Sequence, residues 1–142
     1  HLYSTRGEIA LAEKNWQEAE DWFKRGLAEA EHNGNRREQA NSHANLGLAA
    51  LGRGDPDAAV MLLETARQEV AELPEPHLRA RTELDLAQVY LERGERSAAR
   101  EALDRARTVL ANSSRKTLQV WADRLETQIG PPRRSASRVN RS

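Results

Sequence analysis

A period of 40 residues runs through the chain and limits its fold more than any other feature. The small residues Gly7, Gly47 and Ala87 recur at that step. Ala19, Ala59 and Ala99 repeat it, as do Phe23, Leu63 and Leu103, and then Gly26, Ala66 and Ala106. Series that share one period mark a repeated supersecondary unit, which cannot bury its apolar face alone and must stack on its neighbours.

Each unit reads as two helices joined by a tight turn. Asn15 stands three residues before Glu18, the spacing of a capping box, and Asp55 precedes a proline at the first helical position. Gly94 ends one helix and Ser97 is placed to cap the next. Between units, Asn33-Gly34-Asn35 supplies a left-handed stop, and Leu73-Pro74-Glu75-Pro76 forbids continuation. These signals predict helices over 2–13, 16–32, 36–52, 56–72, 76–93, 97–111 and 114–129. Gly7, Gly47 and Ala87 lack bulk where the partner helix of the hairpin must cross, and Ala19, Ala59 and Ala99 offer the matching shallow spot. Larger side chains there would force the helices apart at about 1–3 kcal/mol each. Phe23, Leu63 and Leu103 then fill the gap towards the next hairpin.

The last predicted helix differs. Leu118, Trp121, Leu125 and Ile129 form one apolar stripe, and Gly130-Pro131-Pro132 follows at once. The period puts Thr127 where a close-packing small residue would belong, so 114–129 is expected to cap the third unit. Residues 130–142 are rich in Pro, Arg and Ser and should be disordered. Arg133, Arg134, Arg138 and Arg141 make this tail basic, as a plain linker or as a phosphate-binding arm. The chain opens on His1 with helical sequence from Leu2, which suggests a piece of a longer protein.

Composition narrows the function classes. The 142 residues suffice for one domain. Charged residues make up 31% yet sum to a formal net charge of +0, so no global field favours nucleic acid or an anionic membrane. With no cysteine, disulfides, thiol catalysis and cysteine-based metal sites are excluded. Such a chain is at home in a reducing cytoplasm. Lysine occurs only at Lys14, Lys24 and Lys116, and this preference for arginine hints at a GC-rich bacterial genome. No run of residues is long and apolar enough for a membrane span, and no signal-peptide pattern opens the chain.

Leu46-Gly47 and Tyr90, then Ala59 with Leu63, and Ala99 with Leu103, resemble the tetratricopeptide repeat signature of Leu-Gly, Tyr, Ala and Phe. The resemblance covers 1–112 as units of about 1–34, 35–74 and 75–112, with 114–129 like the first helix of a fourth. It implies an all-α, right-handed α-solenoid of three helical hairpins plus a C-terminal capping helix, seven helices in all. The step is 40 rather than the family's 34, and the signature tryptophan is replaced by Tyr3, His43 and Glu83. The longer step resembles the arrays of large bacterial signal-transducing ATPases and transcriptional activators.

Several motifs invite a function and are better explained by structure. Arg53-Gly54-Asp55 spells a cell-adhesion tripeptide but falls in the turn of the second hairpin. Gly52 and Gly54 suggest a phosphate loop, yet no strand precedes them and no Gly-Lys-Ser/Thr follows. His1, His32, His43 and His77 lack the i, i+4 spacing of a helix-borne metal pair. His43 takes the place of a large packing residue and should be a half-buried core histidine. No serine lies in a nucleophile elbow. Trp16 and Trp22 read as packing residues rather than a ligand-binding pair. Carboxylates alternate with arginine, as in Glu92-Arg93, Glu95-Arg96 and Arg100-Glu101, which reads as a solvated face.

The resemblance also implies where a partner binds. In such arrays the first helix of each hairpin lines a concave groove. By alignment that groove exposes Ser4, Glu8 and Leu11, then Asn41, Asn45, Leu48 and Gly52, then Arg81, Asp85, Gln88 and Glu92, bordered by Leu84 and Leu91. The clamp that grips chaperone-tail carboxylates uses Lys, Asn, Asn, Lys and Arg. Only Asn45 and Arg81 match it, and the acidic Glu8 and Asp85 would repel a carboxylate. Helix 36–52 carries apolar residues over roughly 200°, against the ~100° of a surface helix. Contact with several neighbours explains that width, and so would a partner at Leu48 and Leu51: an extended or helical peptide, another copy of the chain or another part of the parent protein. The first hairpin also lacks a capping element before His1, and if a parent array continues upstream, this piece would expose an apolar end and could self-associate through it.

The expected function is therefore a non-catalytic protein-protein interaction scaffold, part of a larger regulatory protein. It would bind a peptide, a partner domain or a second copy through the groove or an open end, and take no cofactor. The alternative is an effector-sensing segment of a multidomain ATPase or transcriptional regulator. An enzyme in its own right has no supporting constellation.

Overall fold

A computed structural model describes residues 2–113 and 115–131. They form seven helices in chain order, with no strand among the described residues. These are α1 (Leu2–Ala12), α2 (Trp16–Asn33), α3 (Arg36–Gly52), α4 (Pro56–Ala71), α5 (Pro76–Glu92), α6 (Arg96–Leu110) and α7 (Lys116–Ile129). The boundaries fall within two residues of those read from the sequence. The expected tail, after Gly130 and Pro131, lies outside the described residues, as do His1 and Ser114.

One turn is used three times. Lys14, Gly54 and Gly94 occupy the same register position with φ of 62°, 86° and 77°. The next residue's N–H then reaches back to the preceding helix: Asn15 to Ala10 O, Asp55 to Ala50 O and Glu95 to Tyr90 O, at 2.8–2.9 Å. That geometry makes residues 15, 55 and 95 the N-caps. Asp55 caps with its side chain, accepting from Ala58 N at 3.1 Å. Asn15 makes no side-chain cap bond, contrary to expectation. Ser97 is not a cap either, because the turn fixes Glu95 in that role and Ser97 lies inside α6. Between hairpins, Gly34 ends α2 in the left-handed region and Asn35 caps α3 by accepting from Glu38 N at 3.1 Å.

The helices pack as hairpins, α1 on α2, α3 on α4 and α5 on α6, and each hairpin stacks on the next. The glycines act as the sequence implies. A Cβ on Gly7 would lie 2.3 Å from the Phe23 ring, and one on Gly47 would lie 2.9 Å from Leu63 Cγ and 3.3 Å from Ala59 O. Phe23 and Leu63 therefore press on their own hairpin's first helix as well as reaching onward. Phe23 shares a core with Ala10, Ala19, Leu46 and Ala49. Gly26 sits between successive first helices, its missing Cβ 3.4 Å from Tyr3 Cβ and 3.7 Å from Ser42 Oγ. A larger core runs continuously from α3 to α7 and takes in Leu63, Leu84, Leu103, Leu118, Leu125 and Ile129. α7 lies against α6 and α5 and covers the end of the third hairpin.

Candidate functional site

The first helices of successive hairpins touch, α1 with α3 and α3 with α5. Side chains 40 positions apart therefore form rows across them. Glu8, Leu48 and Gln88 make one row, the first exposed and the other two half-buried. Leu11, Leu51 and Leu91 make the next, all half-buried at the edge of a core. Glu92 is exposed at the end of α5.

Asn41, Asn45, Arg81 and Asp85, also expected in the groove, converge on one another instead. Arg81 Nη2 donates to Asn45 Oδ1 at 2.9 Å and Nη1 to Asn41 Oδ1 at 3.4 Å. Its Nε lies 3.9 Å from Asp85 Oδ2, one turn along α5. Asn45 and Asp85 are 0% and 3% exposed, so neither is offered to a partner. Leu84 is buried too, and Ser4 is buried and donates to Glu38 Oε2 at 3.3 Å. A first helix touches a neighbour on several sides, and this consumes positions that a single-helix projection leaves open. Among the described residues, Asn45 Nδ2 and Asp85 Oδ2 have no hydrogen-bond partner. Burial pushes the Asp85 carboxyl up to about 7, with the Arg81 charge pulling the other way.

The position where the sequence lacks a signature tryptophan holds three different solutions. Tyr3 stacks on Trp22 with ring centroids 6.1 Å apart. His43 is half-buried, its Nδ1 2.7 Å from Glu69 Oε1. Glu83 Oε2 accepts from Arg105 Nε at 2.9 Å and lies 3.5 Å from Arg67 Nε, tying α5 to α6 and α4. Burial raises the Glu83 carboxyl above its usual range, while the hydrogen bond and charge of Arg105, then Arg67, oppose the rise. Sequence reasoning missed this bridge, although Glu83 sharing a register with Tyr3 and His43 signalled that it must be buried.

Trp16 and Trp22 do not form a pair. Trp16 covers Gly52, where a Cβ would come within 2.5 Å of its ring. Arg6 and Arg25 stand 5.0 and 4.9 Å from the Trp22 centroid. Nor are the α6 arginines simply solvated. Arg96 donates to Ile129 O (3.0 Å from Nε), and Arg100 donates to Gly130 O at 2.6 Å and Glu126 Oε2 at 2.5 Å. They satisfy carbonyls that the end of α7 leaves open. The hydrogen bond from Arg100, with the charges of Arg100 and Arg107, holds the Glu126 carboxyl below its usual range despite partial desolvation.

A cavity of about 530 Å³ lies where the ends of α5, α6 and α7 meet, lined by Arg37, His77 and Arg115 among others. Burial lowers the His77 pKa, and Arg115, Arg81 and Arg37 lower it further. Among the described residues no group of three His, Asp or Glu could hold a metal ion, and no helix is long and apolar enough to cross a membrane.

Two family models, both described as tetratricopeptide repeat, match residues 1–68 and 50–119. No curated protein matches the chain. Among solved structures, one of nearly identical TPR-like repeats of a kinesin light chain from Podosopora anserina aligns with a TM-score of 0.70 at 21% identity. The alignment covers 89% of this chain and 64% of that one, and at this identity the likeness is one of fold.

Proposed function

Because the chain belongs to the tetratricopeptide repeat family, whose repeats mediate protein–protein interaction, we propose that it is a non-catalytic interaction scaffold. Its groove is the face of α1, α3 and α5. The observation that carries this reading is the pair of register rows, Glu8–Leu48–Gln88 beside Leu11–Leu51–Leu91. A half-buried leucine row next to a mixed polar row suits an extended or helical peptide, with apolar contacts for affinity and Glu8 and Gln88 for orientation. Arg81, Asn41, Asn45 and Asp85 set the spacing between the helices beneath that surface. We further read residues 1–129 as the repeat domain and 130–142 as a basic tail, within a larger cytoplasmic regulatory protein.

The test is selection of peptides from a display library on the intact chain, followed by binding to Leu48→Glu combined with Gln88→Ala. The selected peptides should lose at least tenfold in affinity. Peptides that bind both proteins equally would place recognition elsewhere.

A further inference from the structure

We propose that the cavity where α5, α6 and α7 meet is a binding site for a small organic anion, its charged group held between His77 and Arg115. The site lies towards the N-terminal ends of the first helices, whereas Leu48, Leu51, Gln88 and Leu91 lie towards their C-terminal ends. It goes beyond the scaffold reading above and does not depend on it.

The repeat serves as its own control. Arg37 in the second unit and His77 in the third share a register position, one step of 40 apart. Glu75 and Arg115 share another, each the N-cap residue of the first helix that follows. At the earlier interface these two positions hold opposite charges, and Arg37 Nε donates to Glu75 Oε1. At the later interface they hold two bases, and no carboxylate is left in the pair. The start of a helix already carries partial positive charge, which a carboxylate at the cap relieves and an arginine adds to. α7 begins Arg115-Lys116 with no acidic residue in its first turn.

The cavity of about 530 Å³ beside this pair has an apolar wall of Leu78, Leu110 and Leu118. His77 and Arg115 are exposed, whereas the three leucines are buried. That size, with an apolar wall and a few charged groups, is what a small-molecule site has. The wall selects a ligand with an apolar body, and the bases select its charge. An anion seated there supplies the opposite charge that Glu75 supplies one step earlier. It also reverses the field on His77. Partial burial first, then Arg115, Arg81 and Arg37, hold the His77 pKa below its usual value, and of the neighbouring charges Glu75, itself bound to Arg37, raises it. A bound anion favours the protonated ring, so binding and protonation of His77 reinforce each other.

The experiment titrates the intact isotope-labelled chain with phenyl phosphate and, in separate arms, with benzoate, inorganic phosphate and benzyl alcohol. Phenyl phosphate or benzoate should shift the amides of 77–78 and 115–118 and raise the His77 pKa read from its ring protons. The two arms rank phosphate against carboxylate. Inorganic phosphate should bind at least tenfold more weakly, and benzyl alcohol should leave His77 unmoved. Arg115→Glu rebuilds the opposite-charge pair of the earlier interface. It should keep the parent's circular dichroism and melt no earlier, yet lose at least tenfold in affinity. Leu48→Glu with Gln88→Ala should bind as the parent does. No shift around His77 at millimolar phenyl phosphate and benzoate would overturn the proposal. So would full binding by Arg115→Glu, or inorganic phosphate or benzyl alcohol binding as tightly as the organic anions. Loss in the groove variant alone would overturn it and leave the groove reading standing.

Discussion

The two ends of the stack present the same register positions in opposite states. At the C-terminal end Ala122 and Ile129 are buried against the third hairpin, and Arg96 and Arg100 bond the carbonyls at the end of α7. At the N-terminal end the equivalent Leu2 and Ile9 face water. Residue type does not separate them, since Ile9 and Ile129 are identical. Whether a helix precedes in space does. Burial in a solenoid is therefore a property of the interface between units, as expected for a fold whose stability is a sum of units and nearest-neighbour contacts.

The largest effect comes from the matched pair. Ile129→Ala should destabilise the chain by about 2 kcal/mol or more through lost burial and a residual cavity. Ile9→Ala should stay within about 0.5 kcal/mol, as for an exposed site. Urea unfolding of both variants reads the difference, and equal losses would mean that the N-terminal face is already covered in solution.

A second effect lies at register 5, 45, 85 and 125, which holds exposed Thr5 at the open end and buried Asn45, Asp85 and Leu125 further in. Asp85 rises from its ordinary 3.8 to about 7 in the folded chain, so between those values the native state keeps a proton that the unfolded chain has released. Stability tied to this group is complete below about pH 4 and is lost as the pH rises through about 7. Relative to Asp85→Asn, the parent should lose stability across that window, on the order of 1–3 kcal/mol for a buried carboxylate short of a hydrogen bond. Denaturant titrations of both proteins from pH 4 to 8 check this, and parallel curves would remove Asp85 as the cause.

The smallest effect concerns the turn of the open-end hairpin, where Lys14 adopts the φ that Gly54 and Gly94 adopt in the others. Lys14→Gly relieves a left-handed side-chain conformation but frees the unfolded backbone, so a net gain of about 0.5 kcal/mol is expected. A small rise in melting temperature would show it, and a fall would mean that the lysine side chain contributes more than its backbone costs.

Most of the fold was legible because it is written in a period. Small residues every 40 positions located the hairpin crossings, and glycine and proline located the stops. The caps were less legible, since Asn15 has the right sequence but makes no side-chain bond and Ser97 falls inside its helix. The candidate groove was half legible. The rows through Leu48 and Leu11 lie on the surface, whereas Asn45 and Asp85 are buried. Polar residues at helical spacing read as solvent-facing when one helix is considered alone. Only packing reveals that a guanidinium from the next hairpin reaches Asn45 and that Asp85, one turn along from that arginine, is enclosed beside it.

By itself, then, the sequence determined the helices, their pairing into hairpins and the step of the repeat. These depend on short-range rules of capping, turn geometry and side-chain size that every unit states again. Tertiary structure decided which copies of a register position are buried: Ile129 but not Ile9, Asp85 but not Thr5. It also decided that Glu83 bridges three helices and that two arginines close the end of α7. Burial and long-range pairing are set by which helix lies in front, and no local pattern of residues carries that information.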